Sequence, residues 1–370
     1  MSAAWLNSSF RSLLGKQRWS GLLICSVLLL ACHHGPDTVD GDSGFDLGIG
    51  TDDGGPRDSG AIHDADTQDA APPDAELPQD AGTDGPRPPD MTGGTDGGMT
   101  GDMAGDMAST PTRLRVMAAN TTSGNYQSYD PGEGIRIFQG LHPDVALIQE
   151  FNYGDNSDGV IRGFVDTTFG TTFSYFRESG AQIPNGIASR YPIVSSGKWT
   201  DPAVSNRGFA WARIDVPGAK DLWAISIHLL TSSAANRDKE AVALVAEINR
   251  AIPTTDYVVI GGDLNTGTRT ETCLTTLSAV VSVAAPYPAD GAGNSNTSGS
   301  RSKPLDWVMP SLNLRMLETG VVIGAQSFTN GLVVDSRVYM PLSDISPVKV
   351  GDSGATQMQH MAVVEDFLLP

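Results

Sequence analysis

Polar side chains that could act on a phosphate ester follow several apolar runs of this sequence. Residues 145–148 lead into Gln149 and Glu150, and residues 257–260 lead through two glycines into Asp263, Leu264 and Asn265. Such groups are costly to desolvate beside buried strands unless they are paired or bind a metal. If the strand ends meet at one edge, the groups form one polar cluster on rigid supports. Comparable positions hold Asn120, His228, Asp306 and His360.

The residue types indicate which chemistry this cluster could perform. Carboxylate and amide oxygens are the ligands that Mg²⁺ and Mn²⁺ prefer. Zinc fits less well, because residues 113–370 contain one cysteine and three histidines without ligand-type spacing. A hard divalent ion, a His–Asp pair and a neutral asparagine donor are the parts needed to hydrolyse a phosphate ester, with a carboxylate positioning or deprotonating the water.

The elements that must position these residues are mostly strands. The spacing of apolar residues over 234–251 predicts an amphipathic helix. Strands outnumber helices, and the helices fall between them, which predicts one domain over residues 113–370 with layered α/β or α+β architecture and sheets packed face to face. Short apolar runs bounded by Gly, Pro and Asn predict strands at residues 114–119, 145–148, 185–189, 209–214, 222–227, 257–260, 305–309 and 361–367.

The order of these motifs along residues 113–370 resembles the endonuclease/exonuclease/phosphatase superfamily. This superfamily includes secreted deoxyribonucleases, abasic-site endonucleases, neutral sphingomyelinases and inositol-phosphate phosphatases. The resemblance implies a four-layered α/β sandwich of two packed, mainly antiparallel sheets flanked by helices. It is carried by Asn120, Gln-Glu at 149–150, His-Leu at 228–229, Gly-Asp-Leu-Asn at 262–265, Asp306, His360 and the segment 185–193.

The resemblance also implies roles for the residues that would bind metal and water. Glu150 would be the main ligand of a Mg²⁺ or Mn²⁺ ion, supported by Asn120. Asp263 would position or activate the attacking water. Asn265 would hold a phosphate oxygen.

The resemblance gives roles to two histidines in the same way. Asp306 would orient His360, which would stabilise or protonate the phosphoryl group, because a carboxylate behind a histidine fixes its tautomer. His228 would assist the leaving group, as in the deoxyribonuclease and sphingomyelinase branches. Arg207 and Arg301 are further candidates for phosphate contacts.

Two positions depart from the family pattern. The family usually ends on Ser-Asp-His, whereas this chain reads Met358, Gln359, His360, so Gln359 offers the metal an oxygen without a charge. Asp352, a few residues upstream, is a candidate substitute. Secreted deoxyribonucleases carry an arginine two residues after the metal-binding glutamate. This chain has Asn152 there, which argues against duplex DNA as the substrate.

The N-terminus predicts export and a lipid anchor. Residues 1–31 combine three basic side chains with an apolar run that is too short to span a bilayer, which is typical of a signal peptide. The run ends in Leu-Leu-Ala-Cys at residues 29–32, which resembles a bacterial lipobox. This resemblance implies cleavage before Cys32 and acylation of its thiol. The alternative is an ordinary signal peptide followed by a chance cysteine.

Residues 32–112 predict a disordered acidic tether between the anchor and the domain. Residues 33–112 contain 18 acidic side chains against only Arg57 and Arg87, with few large apolar groups. Such a segment cannot bury enough surface to offset its ordering entropy. Calcium binding by its Asp-Gly pairs is an alternative, although the spacing of an EF-hand loop is missing. We therefore expect a protein of the bacterial cell envelope, anchored by lipid at the outer membrane or cell surface, with no other membrane contact.

Charge limits the choice of partner. Residues 113–370 hold 25 acidic and 19 basic side chains, so the strongly basic surface of a tight nucleic-acid binder is missing. An extracellular nuclease remains the first hypothesis, with nucleic acid or another phosphodiester as partner. A sphingomyelinase-like phospholipid hydrolase or a small phosphate-ester hydrolase is the second. The third is an inactive binding module on a tether, supported by Gln359. No protein partner is implied, and we expect a monomer.

Overall fold

The computed structural model describes residues 110–122 and 132–370. The predicted signal peptide, Cys32 and nearly all of the predicted tether lie outside these residues. The first strand begins at Thr112, next to the domain boundary predicted at residue 113. None of the helices within the described ranges has the length and hydropathy that a bilayer span needs.

Strands dominate the described part of the chain. The strands are β1 (Thr112–Asn120), β2 (Val145–Gln149), β3 (Ser174–Arg177), β4 (Gly186–Ser189), β5 (Ile193–Trp199), β6 (Phe209–Ile214), β7 (Leu222–His228), β8 (Tyr257–Asp263), β9 (Asp306–Pro310), β10 (Glu318–Thr319), β11 (Val321–Ile323), β12 (Gln326–Phe328), β13 (Leu332–Val334) and β14 (Ala362–Leu369). The helices are α1 (Glu133–Leu141), α2 (Asp158–Thr168), α3 (Ala234–Ala251), α4 (Thr272–Leu277) and α5 (Leu312–Arg315).

These strands form two large sheets and a small hairpin. The seven-stranded sheet has the order β10-β14-β1-β2-β4-β3, and β13 also pairs with β14. The five-stranded sheet has the order β5-β6-β7-β8-β9, and β11 pairs with β12 alone. Each large sheet contains one parallel pair, β1 with β2 and β7 with β8, and its other pairs are antiparallel. This confirms two mainly antiparallel sheets.

Alternating apolar residues pack the two sheets face to face. In β1, Leu114, Val116 and Ala118 join the core between the sheets, whereas Met117 and Ala119 pack on the outer side with α1 and α2. The outer side of the five-stranded sheet packs against α3 and α4 in the same way. Because successive side chains of a strand point to opposite faces, each sheet is buried on both sides. The order helix, sheet, sheet, helix confirms the four-layered sandwich.

The sheets approach each other closely below the strand ends that bear Glu150 and Asp263. Gly262 has φ +143°, and a Cβ there would lie 2.0 Å from the carbonyl oxygen of Ile227 and 2.8 Å from Gln149 Nε2. Gln149 donates to Ser226 Oγ at 2.9 Å. Ser226 in turn donates to the Ile148 carbonyl at 2.9 Å. Only glycine at residue 262 leaves room for this connection, which fixes the distance between the two sheets.

Candidate active site

Strand register brings the predicted polar residues to one edge of the sandwich. The parallel pair β1–β2 ends with Asn120 beside Gln149, so Glu150 follows at the same edge. The parallel pair β7–β8 ends with His228 beside Asp263. Since β9 runs antiparallel to β8, Asp306 at its start lies opposite Asp263. The strand ends therefore meet as the sequence predicts.

One carboxylate oxygen forms the centre of the cluster. Asp263 Oδ2 lies 2.9 Å from Asn120 Nδ2, 3.4 Å from His228 Nε2 and 3.5 Å from His360 Nε2. Burial raises the pKa of Asp263 to about 7; the charge of His360 opposes the rise and that of Asp306 adds to it. A carboxylate with a pKa near neutrality is suited to general base chemistry at physiological pH.

The two histidines beside Asp263 are held in opposite charge states. His360 Nδ1 lies 3.1 Å from Asp306 Oδ2. Burial disfavours the charge on His360, but the carboxylates of Asp306 and Asp263 outweigh it and raise its pKa to about 10. For His228, burial and the positive charges of Arg207 and His360 put the pKa well below 6.5. At neutral pH, His360 is therefore an imidazolium and His228 is neutral. Titratable groups with pKa values driven apart in this way serve as acid–base pairs.

Two residues of the cluster have a left-handed backbone. Glu150 has φ 53° and Asn265 has φ 51°. A non-glycine residue in this region costs on the order of 1 kcal/mol and is often found at functional sites. Glu150 Oε1 accepts from Asn120 Nδ2 at 3.2 Å. Asn265 donates its N–H to Asp263 Oδ1 at 2.8 Å and its amide to the Leu229 carbonyl at 3.0 Å, so it braces the tip of β8.

The donor set fits a hard divalent cation. Asp263, Asp306 and His360 place their ligand atoms within 4.8 Å of one another, and Asn120 connects Glu150 to this group. Asp306 Oδ1 is buried without a hydrogen-bond partner among the described residues. Carboxylate oxygens suit Mg²⁺ or Mn²⁺, whereas an imidazolium cannot ligate a metal. Asn120 turns its nitrogen towards the carboxylates, and its oxygen accepts from the Thr122 N–H at 2.8 Å.

Gln359 and Asp352 lie in different surroundings. Gln359 precedes His360; its N–H lies 3.3 Å from Thr122 Oγ1, and its carbonyl accepts from the Gly299 N–H at 2.6 Å. Asp352 is bonded through both oxygens to Arg136, at 2.6 and 2.9 Å. This ion pair gives Asp352 a structural role, and the metal-binding role considered from the sequence stays a prediction.

Both arginines predicted to contact phosphate bond internally. Arg207 donates to the carbonyls of His228 at 2.5 Å and Leu229 at 3.0 Å, so it supports the end of β7. Arg301 pairs with Asp290 and Asp335. Both guanidinium groups thus have protein partners, and their phosphate contacts stay predictions. No local sequence pattern indicates these internal bonds, because the partners are main-chain carbonyls or distant acids.

Thr297 is a supporting residue that the sequence analysis did not single out. Its Oγ1 accepts from the Asp306 N–H at 2.7 Å, and its carbonyl accepts from the Met361 N–H at 2.7 Å. Thr297 therefore joins the backbones next to both members of the His360–Asp306 pair. It lies in a stretch rich in Gly, Ser and Asn, where no local pattern distinguishes it from its neighbours.

Comparison with known structures finds similarity to several bacterial proteins. An endonuclease/exonuclease/phosphatase family protein from Bacteroides thetaiotaomicron is similar at a TM-score of 0.50 and 14% identity, covering 70% of this chain and 99% of that one. A protein of the same description from Beutenbergia cavernae has a TM-score of 0.48 and 16% identity, with coverage of 70% and 72%. Sphingomyelinase C from Streptomyces griseocarneus has a TM-score of 0.44 and 14% identity, with coverage of 69% and 99%.

Comparison with protein families gives a stronger result than comparison with single structures. No curated protein matches it. Residues 129–344, more than half of the chain, match the endonuclease/exonuclease/phosphatase family. The members of this family are hydrolases, and its enzymes typically depend on a divalent metal ion. The four-layered sandwich and the cluster around Asp263 agree with the match, and the chain therefore belongs to the endonuclease/exonuclease/phosphatase family.

Proposed function

We propose that this protein hydrolyses phosphodiester bonds with the help of Mg²⁺ or Mn²⁺, and that it acts outside the cell as a nuclease. The observation that carries the proposal is the position of Asp263 between a neutral and a cationic imidazole. A carboxylate with a pKa of about 7 can accept a proton from water, and an imidazolium beside it can donate one.

The side chains divide the reaction between them. Asp263 positions the attacking water and accepts its proton. His360, oriented by Asp306, donates a hydrogen bond to a phosphoryl oxygen and can supply the proton that the leaving oxygen needs. His228 was expected to assist the leaving group, but because burial lowers its pKa it is neutral at physiological pH and carries no imidazolium proton to donate. We assign it the task of holding Asp263 in place.

The metal ion has a defined set of candidate ligands. Glu150 would be its main ligand, and Asn120, which bonds both Glu150 and Asp263, would fix this carboxylate relative to the one that positions the water. When bound, the ion neutralises charge on the phosphoryl oxygens. Gln359 adds no negative charge to this set, so the ion is held by fewer charges than the family pattern supplies.

A phospholipid or a small phosphate ester is the second candidate substrate. Its support is the position two residues after Glu150, where Asn152 accepts from Arg177 at 2.9 Å and donates to the Gln182 carbonyl at 2.9 Å. This side chain is neutral and bonded within the protein. A sphingomyelinase among proteins of similar fold keeps this candidate open.

Anchoring through Cys32 is part of the proposal and is supported by the N-terminal sequence alone. It places the enzyme at the cell envelope. In cells supplied with labelled palmitate, the wild-type protein should become labelled and Cys32→Ser should not. Labelling of both proteins, or of neither, would contradict the lipid anchor without affecting the proposed chemistry.

Substrate assays test the enzymatic part. Hydrolysis of bis-p-nitrophenyl phosphate by the whole protein should require Mg²⁺ or Mn²⁺ and stop with EDTA. Parallel incubation with DNA, RNA and sphingomyelin then separates the two substrate classes. A folded protein that releases no nitrophenol with any metal, and cleaves none of the three natural substrates, would favour the inactive binding module.

A further inference from the structure

A buried guanidinium occupies the centre of the loop formed by residues 290–303. Arg301, whose side chain is 11% exposed, lies among oxygens of its own loop and of one distant residue. Its Nη2 donates to Asp290 Oδ2 at 2.5 Å and to the Asn294 carbonyl at 3.0 Å, and its Nη1 donates to the Asn296 carbonyl. Its Nε lies 3.3 Å from Asp335 Oδ2. Carboxylate and carbonyl oxygens surround this positive group as they would surround a bound metal cation. Here the cation is the guanidinium group of Arg301 itself.

The loop folds around Arg301 through its own side chains as well. Asp290 Oδ1 accepts from the N–H groups of Ala292 and Asn294, both at 2.9 Å. The amides of Asn294 and Asn296 donate to the carbonyl of Arg301 at 3.1 and 3.3 Å. The side chain and the main chain of Arg301 are thus both bonded to the loop, so the loop conformation depends on this residue.

The same loop supports the backbones that carry the His360–Asp306 pair. Thr297 bonds to the N–H groups of Asp306 and Met361, and Gly299 donates to the carbonyl of Gln359. Residues 298 and 360 also form an isolated β-bridge. A shift of the loop would therefore change the place of both His360 and Asp306.

Asp335 connects Arg301 to the opposite sheet. This residue directly follows β13, which pairs with the start of β14 just after His360, whereas the loop leads into β9 and Asp306. Asp335 is also held by Arg337, at 2.7 and 2.8 Å. The Arg301–Asp335 contact thus spans the same two sheets as the His360–Asp306 hydrogen bond.

We propose that Arg301 is a positioning residue that serves as the permanent cation of its loop and sets the separation of His360 from Asp306. In this role Arg301 would act through the backbones of Asp306 and His360 and would not itself take part in the reaction. The structural part of this inference stands on the bonds of Arg301, and its effect on turnover rests on the proposed function.

The first experiment compares Arg301→Met with a matched control, Arg115→Met. Arg115 is 13% exposed and holds the buried Asp366 at 2.8 and 2.9 Å, near the other end of β14. In the whole protein, amide hydrogen exchange at Gly299 and Met361 should become faster in Arg301→Met only. With bis-p-nitrophenyl phosphate and Mg²⁺, kcat should fall about 10²-fold with little change in KM, the size expected when reacting groups are displaced. Arg115→Met should lose comparable stability and keep kcat.

Two further variants distinguish the loss of positioning by Arg301 from simple misfolding. Arg301→Lys keeps the charge but loses the fork of donors, so it should speed exchange at the same two amides by a smaller amount. For Arg301→Ala, guanidinium added below denaturing concentrations should restore protection and part of kcat, whereas tetramethylammonium should not.

Unchanged exchange at Gly299 and Met361 in Arg301→Met, or equal losses of kcat in Arg115→Met, would overturn the assignment. If the wild-type protein shows no turnover at all, the proposed function fails. The exchange measurements would still decide whether Arg301 positions the loop.

Discussion

Two neighbouring clusters of buried carboxylates show how their partners decide what an acidic residue can do. Around Arg301, Asp290 and Asp335 are neutralised by a guanidinium. Burial would raise the pKa of Asp335, but bonds to Arg337 and the charge of Arg301 outweigh it and lower the pKa. Asp263 has imidazoles and an amide as partners, and its pKa rises to about 7. The arginines beside Asp335 thus favour its ionised form, whereas Asp263, which lacks such a partner, can exchange protons near neutral pH.

Removing the charge of Asp263 should have the largest effect on turnover. Asp263→Asn keeps the size and the bond to the Asn265 N–H but cannot accept a proton from water. We expect kcat for bis-p-nitrophenyl phosphate to fall by about 10³-fold, within the range found for general bases. Asp366→Asn, which removes a buried charge paired with Arg113 and Arg115, is the control and should cost stability only. Similar kcat losses in both variants would remove the distinction between the clusters.

In a third cluster the buried carboxyl groups of Glu240 and Asp201 are hydrogen-bonded to each other, which we interpret as one shared proton. Burial, followed by the neighbouring Asp201, raises the pKa of Glu240 from 4.5 to about 8. Because the folded-state pKa is raised, stability from this group is full below about pH 4.5 and is lost as pH rises through 8. Glu240→Gln should therefore flatten the pH dependence of the unfolding free energy by on the order of 2 kcal/mol between pH 6 and 9. Denaturant titrations at several pH values measure this, and parallel curves for both proteins would contradict the shared proton.

Neutralising Glu150 should weaken the metal site without abolishing chemistry. Glu150→Gln keeps a bond to Asn120 but removes one negative charge, so the Mg²⁺ concentration for half-maximal activity should rise about 10- to 100-fold. Glu247→Gln, an acidic residue paired with Arg250 on the surface of α3, is the control and should leave the requirement unchanged. A Mg²⁺ requirement unchanged in Glu150→Gln would place the metal elsewhere.

Adding a charge at Gln359 should have the smallest effect. Gln359→Asp supplies the carboxylate of the family pattern beside His360. The Mg²⁺ concentration for half-maximal activity should therefore fall by about threefold, because water weakens the attraction between one added charge and the ion. Asp306 and His360 should remain essential in this variant. Weaker metal activation in Gln359→Asp would mean that the added carboxylate lies uncompensated beside the site, and that the family pattern does not apply at this position.

Much of the fold follows from alternation and periodicity in the sequence. All eight predicted strands are present, and the predicted helix over 234–251 matches α3 in full. The strands β3 and β5, each at a sheet edge, were not predicted. β3 has only four residues, none of them fully buried, and in β5 Ser195 to Lys198 interrupt the apolar pattern of a largely exposed strand. The short strands β10 to β13 have two or three residues each, too few to show a period.

The functional site was harder to predict from the sequence than the strands that carry its residues. Strand ends predicted the meeting of Glu150, Asp263 and His360, because register follows from burial on both faces of each sheet. The charge states of the histidines arise from burial and from neighbours on other strands, which no local pattern encodes. The role of Arg301 depends on Asp335, a partner more than thirty residues away.

Binding of Mn²⁺ followed by NMR tests the central contrast between the clusters most directly. Paramagnetic broadening should appear first at the amides of Glu150, Asp263 and Asn265, and should weaken in Glu150→Gln. The amides of Asp290, Asp335 and Asp352, whose carboxylates are paired with arginine, should stay sharp at the same concentration. Broadening centred on these paired aspartates, or none near Asp263, would contradict the assignment of the metal and the chemistry to the cluster around Asp263.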